Sequence, residues 1–105
     1  MSSAKDNLPE IMELTREMLE MAETGAWDEL IEIESRRGFL ITQYFDAAHE
    51  AGIDASDAVC IQELSLLNDR ILDLGKAQRQ ELMKLLSESN RQRHAATCYR
   101  QTRTG

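Results

Sequence analysis

Apolar residues recur every three or four positions along almost the whole of this chain, and the pattern is interrupted at Gly25 and Gly52. That spacing places apolar side chains along one side of an α-helix rather than on one face of a strand. A single proline and a 5% aromatic content argue against sandwiches, barrels and doubly wound sheets. Because 105 residues build one core, we expect a single all-α domain over residues 1–105.

The interruptions divide the chain into predicted helices. The first helix, residues 8–24, begins after Asp6 or Asn7, whose side chains can accept hydrogen bonds from the free N–H groups of a first turn. It ends at Gly25, and the second helix covers residues 26–51. Because the connection at Gly25 is so short, the two helices are expected to form an antiparallel hairpin.

A long third helix is predicted over residues 56–89, followed by a short basic helical tail at residues 90–105. Its main apolar seam suits packing along the hairpin in a three-helix bundle and consists of Cys60, Leu64, Leu67, Ile71, Leu74, Gln78, Leu82 and Leu85. A second sector, about 100° around the same helix, holds Ile61, Leu72, Met83 and Leu86. Two apolar sectors need two surfaces to pack against, so the second is either internal to a closed bundle or the floor of an open groove.

Charge is distributed unevenly along the chain. Residues 1–57 carry four Lys/Arg and fourteen Asp/Glu, whereas residues 58–105 carry eight and five. An acidic body repels phosphates, and four tail arginines without stacking aromatics fall short of a nucleic-acid platform, so we expect no nucleic-acid partner. No apolar run exceeds four residues, so we expect no membrane insertion, and no secretory leader pattern is present. These features predict a cytoplasmic protein.

The residue types that carry catalytic or metal chemistry are scattered. Cys60 and Cys98 are too few for a disulfide framework and fit a reducing compartment. His94 and Cys98 stand four residues apart, as in a helical metal pair, but no Cys-x-x-Cys or Glu-x-x-His motif accompanies them, so chance explains the spacing. The dispersed glycines form no phosphate-binding loop. We therefore expect no catalytic residue, no metal and no cofactor.

Glu34 is the unusual residue of the second helix. It falls inside the apolar face, where an unpaired carboxylate is costly to bury, so we expect an ion-pair partner, either Arg37 or Arg70. Phe39 is expected on the opposite, polar side of the helix.

The residues at the hairpin corner and in the tail resemble those of the FliT-type flagellar export chaperones. The corner reads Thr24-Gly25-Ala26-Trp27-Asp28-Glu29-Leu30, with Glu34 seven residues after the tryptophan. The similarity continues through Leu72-Asp73 to Leu85 and ends with Ser89-Asn90-Arg91-Gln92-Arg93 and Tyr99, so that it covers roughly residues 8–100. Family members continue past the tail tyrosine with a longer, partly apolar helix, whereas this chain ends in polar residues.

The resemblance implies a cytoplasmic type III export chaperone. Such a protein binds the filament cap protein FliD, prevents its premature assembly and delivers it to the export ATPase complex and the export gate FlhA. We expect the groove floor to consist of Ile61, Leu72, Met83 and Leu86, with Phe39 and Tyr99 as further contacts and the tail covering the groove when no client is bound. The structural positions are Gly25 for the turn, Trp27 for closing the hairpin, Asp28 for the first turn of the second helix, and Glu34.

An alternative from another class is a helical regulatory adaptor that acts on a transcriptional regulator of motility through its basic tail. Self-association as a homodimer also stays open at this point.

Overall fold

The computed structural model describes the backbone of residues 4–104 and the side chains of residue 4 and residues 6–95. A 3₁₀ turn, Ala4–Asn7, leads into three helices: α1, Leu8–Thr24; α2, Trp27–Ala51; and α3, Ala55–Thr104. The described backbone contains no strand, and the all-α prediction is confirmed. The chain divides into two units, Met1–Leu74 and Gly75–Gly105. The expectation of one domain stays a prediction.

The first unit is a bundle of α1, α2 and residues 55–74 of α3, with two core clusters. In one cluster, Leu8, Ile11, Tyr44 and Ala48 pack against Cys60, Ile61 and Leu64 of α3. In the other, Met18, Ala22 and Leu30 pack with Ile71 of α3. Because the start of α1 meets the end of α2 and the start of α3, α2 runs antiparallel to both neighbours.

The apolar stripe of α1 forms the centre of this bundle, as its periodicity predicts. Its buried residues are Leu8, Ile11, Met12, Leu14, Thr15, Met18 and Ala22. Asn7, one of the two residues predicted to cap α1, makes no capping hydrogen bond with its side chain. The backbone of Asn7 is already helical in the 3₁₀ turn, and its side-chain amide instead donates to Gln43 Oε1 of α2 at 3.4 Å.

The turns between helices follow the glycines and acidic residues of the sequence. Gly25 and Gly52 both have φ of 82°, the left-handed region that glycine adopts without a steric cost. Asp54 caps α3, since its Oδ1 atom accepts a hydrogen bond from the backbone N–H of Asp57 at 2.8 Å. Helix α3 thus begins at Ala55, one residue before the predicted start.

Helix α3 ends later than the sequence pattern predicts. The expected end near Ser89, with a separate tail helix, is wrong, because α3 continues to Thr104. Residues 76–104 contain neither glycine nor proline and are rich in good helix formers, so no local signal stops the helix. Residues 90–104 consequently extend the helix that carries Met83 and Leu86 and do not fold back over those two residues.

Candidate partner-binding site

No chemical centre emerges from the described residues. None of their His, Cys, Asp and Glu side chains form a group that could hold a metal ion. In the same part of the chain, no helix combines the length and the apolarity needed to cross a bilayer.

The hairpin corner holds three of the predicted structural residues. Gly25 adopts the left-handed turn, and the following Ala26 N–H donates to the Met21 carbonyl oxygen at 2.8 Å. Trp27 is half-buried and packs against the core cluster that contains Met18 and Ile71, while its indole N–H is buried without a hydrogen-bond partner. Asp28 lies exposed in the first turn of α2, where a negative charge is favourable.

Glu34 pairs with Arg37, one of its two expected partners. The expectation that Glu34 lies buried inside the apolar face is wrong, because Arg37 is the buried member of the pair and Glu34 is half exposed. Glu34 Oε2 lies 2.6 Å from Arg37 Nη2, and the Glu34 side chain is 49% exposed. Arg37 is the buried member, and its Nη1 atom donates to the Thr15 hydroxyl of α1 at 3.3 Å while its Nε atom has no partner. The other candidate, Arg70, instead lies 3.6 Å from Glu23 on α1. Sequence reasoning missed Arg37 as a core residue.

The signal for Arg37 was present in the sequence. Leu30, Arg37 and Tyr44 are seven residues apart on α2, and all three are buried. Residues at this spacing lie on one stripe of a helix. The cation therefore occupies a core position, with its aliphatic stem buried and its head held by Glu34 and Thr15.

A second buried polar contact joins α2 to the start of α3. The Tyr44 hydroxyl donates to Asp57 Oδ2 at 3.0 Å, and the tyrosine side chain is completely buried. Burial, with the nearby Asp57 carboxylate, raises the pKa of Tyr44 to about 12. The phenol therefore stays protonated and acts as a fixed donor at neutral pH.

Within the first unit, the predicted contact residues occupy different environments. Ile61 is half-buried and lines a small cavity of about 90 Å³, whose other walls are Leu8, Ile11, Ile41, Tyr44, Phe45 and Leu64. Leu72, three turns further along the same side of α3, is 53% exposed. Phe39 is 64% exposed on α2, on the side where the sequence predicts it. Neither Leu72 nor Phe39 lines the cavity.

The second unit carries a compact apolar surface. Leu82, Met83, Leu85 and Leu86 are between 50% and 63% exposed, and we refer to these four residues as the 82–86 face. Two of them, Met83 and Leu86, are predicted contact residues. The expectation that Leu82 and Leu85 are covered by the hairpin is wrong, because both are at least half exposed.

Ile61 and Leu72 belong to the first unit, whereas Met83 and Leu86 belong to the second. One continuous groove floor built from these four residues stays a prediction. The remaining predicted contact, Tyr99, is part of the α3 backbone, and its side chain lies outside the described residues. The same is true of Cys98.

The fold and the surface together define an all-α protein whose outward feature is exposed apolar helix surface, as in modules that bind other protein chains. Comparison with protein-family models matches residues 5–101 to the family described as Flagellar protein FliT. The chain belongs to the FliT family, a family of flagellar export chaperones and not of enzymes. Comparison with curated proteins and with solved structures gives no match.

Proposed function

We propose that this chain is a cytoplasmic export chaperone for the filament cap protein FliD. In this function it holds FliD unassembled and delivers it to the export apparatus through the export ATPase complex and the export gate FlhA. Membership of the FliT family supports the general role. The observation that carries the client-binding part is the 82–86 face, four large apolar side chains within five residues that stand half or more in water.

Covering these side chains provides a driving force for binding. Complete burial of a leucine or methionine is worth about 1.5–3 kcal/mol, so covering the exposed halves of four contributes several kcal/mol. A soluble monomer gains nothing from leaving such a surface in water. Burial of the 82–86 face, which the described fold of the second unit does not achieve, therefore favours association with a partner that covers it.

The mechanism follows from the geometry of a single exposed helix. A disordered segment of the client forms an amphipathic helix and lays its apolar row on the face, as in helix-in-groove recognition. Ordering that segment costs part of the binding free energy, which keeps the complex releasable at the export apparatus. Leu72 and Phe39 are proposed as further client contacts in the first unit. Tyr99 in the tail is proposed as a minor contact, on which most of the affinity does not depend.

The variant Leu86→Asp tests the 82–86 face. The new carboxylate would be desolvated under the client, so we expect isothermal titration calorimetry with purified FliD to show a loss of affinity of at least tenfold. Ala77→Asp is the matched control, because Ala77 is exposed about 180° around the same helix from Leu86 and the substitution adds the same charge. Equal affinities of the two variants for FliD would remove the 82–86 face from the proposal.

Leu72→Asp tests the first unit separately. We expect it to abolish FliD binding while leaving the helical circular dichroism intact, because Leu72 is already half exposed. Leu66→Asp is the control, since Leu66 is an exposed leucine of α3 about 120° around the helix. If wild-type protein shows no FliD binding at all, the proposed client is wrong.

Deleting residues 90–105 separates the proposal from the regulatory adaptor. If FliD binds the apolar faces, the shortened chain keeps or gains affinity for FliD in calorimetry. Residues 90–104 continue α3 and leave Met83 and Leu86 exposed, so their removal should cost no apolar contact with the face. A large loss would place the tail in the binding site and favour recognition through its four arginines.

A further inference from the structure

The second unit is strongly basic although the whole chain is acidic. Residues 75–105 contain seven Lys/Arg and two Asp/Glu, whereas residues 1–74 contain five and seventeen. The second unit therefore has a formal charge of +5 within a chain of −7. The apolar 82–86 face lies in this basic part, so the charges around it bear on which partner fits.

Two exposed basic residues adjoin the 82–86 face. Arg79 lies one turn before Leu82 and Met83, and Lys76 lies two turns before Met83 on the same side of the helix. Among the described residues, neither cation has an ion-pair partner. Their charges are therefore free to meet a partner that covers the neighbouring apolar side chains.

Two other basic residues provide an internal reference. Lys84 and Arg91 are exposed and lie about 180° around the helix from Leu82. They contribute the same charge to the second unit but face away from the apolar surface. A loss of partner binding that follows removal of the charges of Lys76 and Arg79, but not of Lys84 and Arg91, must therefore arise at the 82–86 face and not from the overall charge.

The opposite edge of the face is acidic. Glu81 lies one turn before Leu85, and Glu88 lies one turn after it. An anionic membrane surface would meet these two carboxylates as soon as it covered the leucines, which disfavours a lipid partner. The second unit of another copy is also disfavoured, because two units of charge +5 repel each other.

We propose that the 82–86 face, with Lys76 and Arg79, binds an amphipathic client helix whose apolar row is bordered by Asp or Glu on the side facing these two cations. This inference rests on the proposed function and adds the chemistry of the client segment. Apolar contact supplies most of the affinity, whereas the charge pairs set the orientation of the client helix and speed its association.

The test uses the full chain and two synthetic helical peptides of about three heptads. Both peptides carry a leucine row. One side of that row is bordered by glutamate in the first peptide and by lysine in the second. Calorimetry should show tighter binding of the glutamate peptide to the wild-type chain. The double variant Lys76→Gln/Arg79→Gln should weaken that binding about three- to tenfold, and Lys84→Gln/Arg91→Gln by less than twofold.

The outcomes separate this inference from the proposed function. Equal losses in the two double variants would overturn it, because overall charge would then explain the binding. If Leu86→Asp abolishes FliD binding while Lys76→Gln/Arg79→Gln leaves FliD binding unchanged, the proposed function stands and the charge rule is wrong. Tighter binding to vesicles of phosphatidylcholine and phosphatidylglycerol than to the glutamate peptide would assign the face to lipid and overturn the inference. If the molecular mass of the protein in solution rises with concentration, and Leu86→Asp removes that rise, the 82–86 face binds a second copy and the inference is overturned.

Discussion

Arg37 is a cation in the interior of a small helical bundle, and its pairing is incomplete. The residue is 6% exposed, its Nη atoms reach Glu34 and Thr15, and its Nε atom has no partner. Removing a guanidinium from water costs several kcal/mol, and two hydrogen bonds return only part of that. Arg37 therefore contributes to the register of α1 on α2 more than to the free energy of unfolding.

Replacing Arg37 by an apolar residue of similar length tests this. Arg37→Met keeps a long flexible stem in the core and removes the incompletely paired charge, so we expect the free energy of unfolding to stay within about 1 kcal/mol of wild type or to rise. Arg37→Ala leaves a cavity and should lose about 2 kcal/mol or more. Urea unfolding followed by circular dichroism measures both. A loss of several kcal/mol in Arg37→Met would show that the ion pair itself stabilises the bundle.

Tyr44 predicts a dependence of stability on alkaline pH. Its pKa is raised from 10.0 to about 12 by burial and by Asp57, so the folded protein holds the phenol proton more tightly than the unfolded chain. This contribution to the free energy of unfolding is complete below pH 10 and is lost as the pH rises towards 12.

The variant Tyr44→Phe isolates that contribution. At neutral pH it should lower the free energy of unfolding by about 1 kcal/mol, because a buried hydrogen bond to Asp57 is lost. Between pH 10 and 12 the gap between wild type and variant should narrow in urea unfolding. Lysine titration affects both proteins equally. A constant gap across this range would contradict the raised pKa of Tyr44.

At this scale the sequence predicts residue pairs better than residue environments. The i, i+3 spacing of Glu34 and Arg37 is enough to expect an ion pair. Which partner is buried depends on the rotation of α2 against α1, and that rotation places Arg37 beside Thr15. An apolar stripe is too broad to fix the rotation within one residue.

At the scale of helices, two glycines should respond to alanine with opposite signs. Gly25→Ala should lower the free energy of unfolding by about 1 kcal/mol, because φ of 82° is unfavourable for any residue with a Cβ atom. Gly38→Ala should raise it by about 0.5–1 kcal/mol, because Gly38 lies within α2 and alanine is the better helix former. Neither new Cβ atom meets another atom within 4 Å, so steric clashes do not complicate the comparison.

Urea unfolding of both glycine variants measures this difference. A destabilised Gly38→Ala would contradict the helix-propensity argument and would mean that the new Cβ atom disturbs packing around α2. A stable Gly25→Ala would show that the corner relaxes into another turn, and the antiparallel hairpin would then depend on packing alone.

The helices show where sequence periodicity is reliable. Gly25 and Gly52 end α1 and α2 because a residue with positive φ stops a helix locally. The predicted end of α3 near Ser89 is wrong, because the apolar pattern fades there while helix propensity does not. A helix that loses its apolar side no longer gains free energy from packing, but its backbone can stay helical.

At the scale of the whole molecule, charge is separated between the two units. The first unit carries seventeen acidic and five basic residues, and exposed Glu13, Glu17 and Glu20 lie along one side of α1. Repulsion among these charges opposes folding and is screened by salt. We expect the free energy of unfolding to rise as NaCl increases from low to moderate concentration, although salt weakens the few ion pairs.

Glu17→Gln should reduce that salt response, because Glu17 lies between two other glutamates at helical spacing. Urea unfolding at several NaCl concentrations gives the slope for each protein. An unchanged slope, or a stability that falls with salt, would mean that ion pairs such as Arg16–Glu63 outweigh the repulsion.

For the candidate surface, the sequence predicts the direction of the side chains on α3 but not their exposure. Periodicity identifies two apolar sectors on α3, and the structure exposes Leu72, Met83 and Leu86 from one of them. It places Ile61 from the same sector in a cavity wall, since Phe45 and Ile41 approach that turn. A helical pattern gives the direction of a side chain, but neighbouring helices decide how much of it remains in water.

The half-buried Trp27 gives the first unit an optical signature of its own. It is the sole tryptophan of the chain, and it packs between the two hairpin helices and Ile71. Its fluorescence emission should shift to longer wavelength when this bundle unfolds. The emission should not change when only residues 75–105 lose their helical structure. Comparing that emission with far-ultraviolet ellipticity therefore resolves the melting of the two units in one unlabelled sample.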